Sequence, residues 1–333
     1  MQPSVQDWLP KGGKIDENKE LLPIKCVHEM QQVGITEVMT LLACDDDGRK
    51  YDEFLLQNIS IAPMESAALF EFFSHIKDLR ILKIYRCTME QSSYRELSSL
   101  LKKGNKISSL TIQHCRMSDN DAKQVIDALR NENCNVTHLD LAYDNLTAES
   151  TKFIRDTLKS GNCKLTELNL SGNELTDVGA EYLSEALKNG QCKLAKLFLN
   201  SNKLEDAGVK HLSDALMNKN CKLAELDLFD NELTAKGASY LSEALKTGNC
   251  EITELSLYEN KLKDEGLKYL CEALMNENCT LTELDLNGNE ITTKGAKYLS
   301  EALKNANCKL TYIYLNENKL MDAAVRYLCD ALM

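Results

Sequence analysis

A cysteine returns every 29 residues through most of this 333-residue chain, at Cys134, Cys163, Cys192, Cys221, Cys250, Cys279 and Cys308. Each opens one phrase, clearest in Cys163-Lys-Leu-Thr-Glu-Leu-Asn-Leu-Ser-Gly-Asn173-Glu-Leu175, and the stretch from Thr176 to Lys188 then completes the unit. A fixed period of this length describes an array in which each unit buries its apolar face only against its neighbours. Such a core grows along one axis, so a long chain need not be divided into separate compact cores.

Within the phrase, Leu168 and Leu170 alternate with Asn169, which is strand periodicity with the leucines facing inward. Ala180, Leu183, Ala186 and Leu187 recur at helical spacing, with Glu181, Glu185 and Lys188 on the remaining face. Each repeat is therefore one strand and one amphipathic helix, and the fold class is an α/β solenoid. Parallel strands pack about 4.8 Å apart whereas helices need about 10 Å, so the array is expected to curve into a horseshoe. Strands line its concave face and helices its convex face.

Gly179, Gly208, Gly237, Gly266 and Gly295 sit near the helix start, where a side chain would obstruct close packing. Asn173, Asn202, Asn231, Asn260, Asn289 and Asn318 follow each strand at the bend, placed to satisfy backbone groups that the turn leaves unpaired. Losing one such partner is expected to cost roughly 1–3 kcal/mol. Earlier repeats carry Asp144, Cys115, Cys87 and Ile59 at this position, and such departures are what a capping end shows.

Counting strands by their second inward residue, from Leu56, Ile84, Ile112 and Leu141 through Leu170 to Leu315, gives about ten repeats of 28–29 residues over 54–333. Residues 1–53 are then an N-terminal capping segment that contains Trp8 and the apolar stretch Leu21 to Val27. A longer period runs through the array. Glu174, Lys203, Glu232, Lys261, Glu290 and Lys319 alternate in sign, so the true unit is a 58-residue pair, and these side chains are expected to form an ion-pair ladder along one edge.

The cysteines, 13 in all, read as a buried ladder of small apolar thiols, because a regular one-per-repeat series lacks the clustering of a metal site. Many unpaired thiols favour a reducing, cytosolic compartment. A net charge of −12 argues against nucleic acid, whose affinity rests on clustered Lys and Arg, and suits a basic protein partner. No window reaches the length of a membrane span, and the polar stretch Met1 to Glu20 lacks a secretory apolar run.

Phosphate loops, nucleophile elbows and zinc-binding His-Glu-x-x-His motifs are missing, and the five histidines are scattered. Asp45-Asp46-Asp47-Gly48 does not have the alternating spacing of a calcium loop and reads as a solvated turn. Cys329-Asp330 stands where other repeats have Ser-Glu or Ser-Asp. The chain is expected to be a non-enzyme without cofactor or metal, and a monomer.

The repeat length, the single helix per repeat, the alternating pairs and the phrase N-x-N-C-x-L-T-x-L-x-L together resemble ribonuclease-inhibitor-type leucine-rich repeats, over about Phe54 to Met333. That class includes ribonuclease inhibitors, sensor regions of innate-immune receptors, a GTPase activator of nuclear transport and effectors of intracellular bacteria. The Lys-, Asn- and Glu-rich wording is most similar to the effectors. It implies a secreted bacterial protein that binds a host protein in the host cytosol. A ribonuclease inhibitor or a GTPase activator is the alternative that the resemblance implies, with Arg86 or Arg116 as the arginine in the second case.

Function is argued from the exposed strand residues. Those of the later repeats are mostly acidic: Glu225 and Asp227, Glu254, Glu283 and Asp285, then Tyr312 and Tyr314. Phe198 is a large ring at a solvent-facing strand position, and Phe229 and Tyr258 follow on the strand-exit edge, with Tyr143 farther along it. Aromatic residues among carboxylates match the anchor-and-rim chemistry of protein interfaces. Alternatively, the rings fold down over neighbouring side chains. These ten residues, Phe198 through Tyr314, are the candidate partner-binding set.

Overall fold

The computed structural model describes residues 14–15, 52–76 and 78–332. They fall into two compact units, one running up to Asn145 and including Asn162–Leu165, the other made of Leu146–Gly161 and the chain from Thr166 on. Of the expected capping segment, Lys14–Ile15 is described and forms strand β1. Trp8, Leu21 to Val27 and Asp45 to Gly48 lie outside the described residues.

In the first unit β1 pairs with β2 (Glu53–Gln57), followed in parallel by β4 (Ile81–Tyr85), β6 (Ser109–Gln113) and β7 (His138–Asp140). Short strands β3 (Ser60–Ile61) and β5 (Thr88–Met89) form a second parallel pair. Helices α1 (Pro63–His75), α2 (Gln91–Lys102) and α3 (Asp119–Ala128) follow the main strands. The first repeat is filled by aromatic rings where later ones use leucine: Phe54 meets Phe73 edge-on at 4.9 Å, with Phe72 at 6.1 Å.

The second unit opens with α4 (Ala148–Leu158) and then alternates strand and helix. The strands are β8 (Glu167–Asn169), β9 (Lys196–Phe198), β10 (Glu225–Asp227), β11 (Glu254–Ser256), β12 (Glu283–Asp285) and β13 (Tyr312–Tyr314). The helices are α5 (Thr176–Leu187), α6 (Glu205–Leu216), α7 (Ala235–Leu245), α8 (Lys263–Leu274), α9 (Thr293–Leu303) and α10 (Asp322–Leu332). Strands pair in parallel at the repeat step, Leu168 against Leu197, Leu197 against Leu226, and on to Leu284 against Ile313. Sequence periodicity thus becomes spatial register. The inward Leu168, Leu170, Leu183 and Leu187 are buried, as the alternation and the helical spacing require.

The asparagines hold the bend of each repeat and tie it to the one before. Asn260 donates through Nδ2 to the Leu228, Leu257 and Tyr258 carbonyls, while its Oδ1 accepts from the Asn231 and Leu233 amides at 3.1 and 2.9 Å. One side chain therefore satisfies donors and acceptors in two adjacent repeats, where an unpaired group would be costly. In the first unit Cys115 takes this place with a weaker donor, its thiol reaching the Gln113 carbonyl at 3.3 Å and the Ile84 carbonyl at 3.7 Å.

The cysteine series is buried from Cys134 to Cys279 and half-buried at Cys308, and none of it forms a disulfide among the described residues. Burial pushes the Cys134, Cys221, Cys250 and Cys279 thiols up, Cys250 to about 11. Close packing leaves no room for a side chain at Gly266: a Cβ there would lie 2.8 Å from the Leu262 Cβ and 3.3 Å from the Ala235 backbone.

The expected edge ladder of Glu and Lys closes at Glu232 with Lys261, 3.7 Å apart, and at Glu290 with Lys319 at 2.6 Å. Both pairs are exposed, so solvent screens them. Among the described residues no helix is long and apolar enough to cross a membrane. Nor does any group of three or more His, Cys, Asp or Glu there have the geometry to hold a metal ion.

Candidate functional site

Strand alternation puts two parallel rows of side chains on the open face of the second unit. One row runs Lys196, Glu225, Glu254, Glu283, Tyr312, and the other Phe198, Asp227, Ser256, Asp285, Tyr314, each step being a register pair between neighbouring strands. The buried leucines Leu226, Leu255 and Leu284 between the rows fix this orientation.

Across β10 to β13 the two rows enclose an open groove of about 230 Å³, lined by Glu225, Asp227, Glu254, Ser256, Glu283, Asp285 and Tyr314. Lys196 pairs with Glu225 at its rim. Glu254, Glu283, Asp227 and Asp285 meet no Lys, Arg or His within 4.0 Å among the described residues. Desolvation pushes the Asp227 and Asp285 carboxyls up, and for Asp285 the neighbouring Asp227 and Glu283 charges add to it. The Glu283 charge is the main cause that raises the Tyr314 hydroxyl. This is a negative groove with a phenol on one wall, suited to a desolvated cationic side chain.

Six of the ten expected residues come together here: Glu225, Asp227, Glu254, Glu283, Asp285 and Tyr314. Phe229 and Tyr258 form a separate pair at the strand exits, their rings stacked with centroids 4.7 Å apart and planes 13° apart. The Tyr258 hydroxyl also donates to Glu317 at 3.4 Å, and its hydrogen bond to Glu259 is the main cause that pushes it up to about 12. These two rings do fold onto a neighbour, so their exposed area is smaller than separate rings would offer. Phe198 is half-buried beside Asp227 in the register, and Tyr312 is 62% exposed at the end of its row. Neither lines the groove.

Ser256 and Lys196 are the residues that sequence reasoning left out of the set. Both are legible as outward strand positions, but the roles of groove wall and counter-ion need the register between strands to be known.

A family model described as leucine-rich repeat matches residues 161–184, 219–242, 248–271 and 277–300. The chain carries leucine-rich repeats. Each match spans a strand, the asparagine bend and the first part of the following helix, the unit described above.

Among solved structures the chain is similar to an internalin of Listeria monocytogenes, with a TM-score of 0.50 and 14% identity over 97% of this chain and 94% of the internalin. That likeness shows the fold. A plant ice-binding protein matches at a TM-score of 0.40 and 17% identity, over 83% of this chain and 76% of that one. The sequence matches no curated protein.

Proposed function

We propose that this chain is a non-enzymatic scaffold that binds a basic segment of another protein on the β10 to β13 face. Leucine-rich repeats act generally in protein–protein interaction. The observation that carries the finer reading is the groove itself, whose carboxylates Glu254, Asp227, Glu283 and Asp285 lack cationic partners beside the Tyr314 ring. A partner Arg or Lys supplies that charge, and Tyr314, 40% exposed, offers a ring for a cation to rest on. The stacked Phe229 and Tyr258 extend the surface toward the strand exits as one apolar block.

The wording of the repeats and the buried thiols, which form no disulfide among the described residues, support a secreted bacterial protein working in the reducing cytosol of a host cell. Titration of a fluorescent arginine-rich peptide tests the binding reading. Binding is expected to weaken by about tenfold in a Glu283→Gln/Asp285→Asn variant. Because burial raises Asp227 and Asp285, protonation removes their charge at a higher pH than for ordinary carboxylates, so affinity should fall as the solution is acidified and should begin to fall before ordinary carboxylates protonate. Equal affinity of variant and parent would place the binding surface elsewhere.

A further inference from the structure

The first unit carries an edge of opposite character. Tyr85, at the end of β4, meets His114 edge-on with centroids 5.3 Å apart, and His114 lies flat on Tyr143 at 4.8 Å with 6° between the planes. The Arg86 guanidinium sits over the Tyr85 ring, 5.1 Å from its centroid. Arg86, His114 and Arg116 are exposed, and Tyr143 is 47% exposed. Parallel pairing brings the repeats that hold these residues about 4.8 Å apart, so they form one continuous strip.

Arg86, His114, Arg116 and Tyr143 all have left-handed conformation, with φ of 51°, 54°, 55° and 60°. Glycine is the unstrained choice there, and the corresponding bends at Gly172 and Gly288 use it. At the bend position of Arg86, His114 and Tyr143, the second unit has Ser201, Asp230, Glu259 and Glu317. Cationic and aromatic chemistry at this bend is thus a property of the first unit.

Charge completes the case. Lys83 on the same strand as Tyr85 is tied to Glu53 at 2.7 Å, but the Arg86 and Arg116 guanidiniums meet no carboxylate within 4.0 Å among the described residues. In a chain of net charge −12, two guanidiniums without a carboxylate beside an aromatic strip give this edge a locally cationic character. Tyr and Arg are also the residues most enriched at the centres of protein interfaces. We infer that the Tyr85–His114–Tyr143 strip with Arg86 and Arg116 is a second interaction surface, which binds an acidic, aromatic-containing peptide segment of a partner protein.

The carboxylates of such a segment pair with the two guanidiniums in bidentate fashion, and its apolar side chains pack on the exposed rim of the ring stack. Nucleic acid fits less well. Two cations release few counterions against an acidic chain, and His114 already has a ring on its face and another at its edge, which leaves little room for a base to stack.

A random short-peptide library selected against the intact chain tests this, with recovered peptides measured one by one on two variants. The first is Arg86→Gln/Arg116→Gln/Tyr143→Gly, whose changes lie at exposed positions and, for Tyr143, relax the backbone. The second is Glu283→Gln/Asp285→Asn in the other unit. Circular dichroism against the parent checks that both variants fold.

Peptides rich in Asp, Glu and aromatic residues should lose about tenfold or more in affinity on the first variant and keep it on the second. Basic peptides that depend on the second variant's residues report on the other groove, so the two readings stand or fall separately. Recovery of no peptide sensitive to the first variant, or of sensitive peptides that lack acidic residues, overturns the inference. So does a single-stranded oligonucleotide that binds more tightly than the best acidic peptide and is lost in the first variant.

Discussion

Asp144 occupies the bend position where later repeats have asparagine, and the difference of one atom changes its chemistry. Its Oδ1 accepts from the Cys115 and Met117 amides at 2.6 and 3.2 Å, as the asparagine carbonyls do. A carboxylate, however, has no Nδ2 to donate. Burial pushes its pKa up to about 7, against the lowering effect of the Met117, Cys115 and Arg116 amides. In the folded state Asp144 therefore keeps its proton to near neutral pH, whereas the unfolded chain releases it near pH 4. Folding is favoured at low pH by this group, and its contribution is lost as pH rises from about 4 to about 7. Asp144→Asn supplies the missing donor and removes the titration. It is expected to raise stability by about 1–3 kcal/mol at pH near 8 and less at pH near 4, by urea denaturation at both. A parent and variant with the same pH profile would show that Asp144 ionises normally when buried. The departure from asparagine is legible in the sequence at residue 144. Its consequence is not, because depth of burial and the three amides around it come from the fold.

Helix α7 begins on a carboxylate borrowed from the previous repeat. Asp206 accepts from the Thr234 amide at 2.9 Å, the Thr234 hydroxyl at 2.5 Å and the Gly237 amide at 2.8 Å, and Asp264 does the same for Thr292 and Gly295. This capping is the strongest structural expression of the 58-residue period, more so than the exposed Glu–Lys ladder through which the period is read. The signal was present, since Asp206 and Asp264 are themselves 58 residues apart, as are Thr234 and Thr292. Nothing in the spacing says that an aspartate reaches the start of the helix one repeat on. Asp206→Ala is expected to cost about 1–2 kcal/mol, the usual worth of a cap with charge-assisted bonds. A Cβ on Gly237 would lie 2.6 Å from the Asp206 Oδ1 and no nearer than 3.6 Å to the next atoms. Gly237→Ala should therefore destabilise the parent but be neutral or favourable in the Asp206→Ala background, where alanine's helix preference of about 1 kcal/mol is free to act. Additive effects in that double-mutant cycle would mean that the carboxylate and the glycine do not meet.

At the scale of the molecule, the repeat period made the fold legible because every inward leucine has a counterpart one period on, and the parallel register copies that order into space. The acidic groove was legible only in part. Alternation says which strand residues face outward, but pairing with Lys196 distinguishes Glu225 from Glu254, and stacking withdraws Phe229 and Tyr258 from the groove, and both depend on the distance between strands. The same linear construction predicts how a local defect travels. In an array whose stability is a sum of repeats and their interfaces, a weakened repeat opens with its neighbours before the rest. The cysteine series places one reporter in each repeat, buried and with its thiol held neutral at Cys221 and Cys250, so alkylation reads local opening. In native buffer, exposed Cys329 should label first among the cysteines of the described residues, and Cys87, Cys115 and Cys134 to Cys279 slowly. Asp206→Ala is expected to speed labelling at Cys221 and Cys250, beside the lost cap, while leaving Cys87 and Cys115 at the parental rate, as mass spectrometry of timed samples would show. Equal acceleration at all of these thiols would instead mean that the described repeats open as one cooperative body, so that a defect at one cap is felt along the whole array.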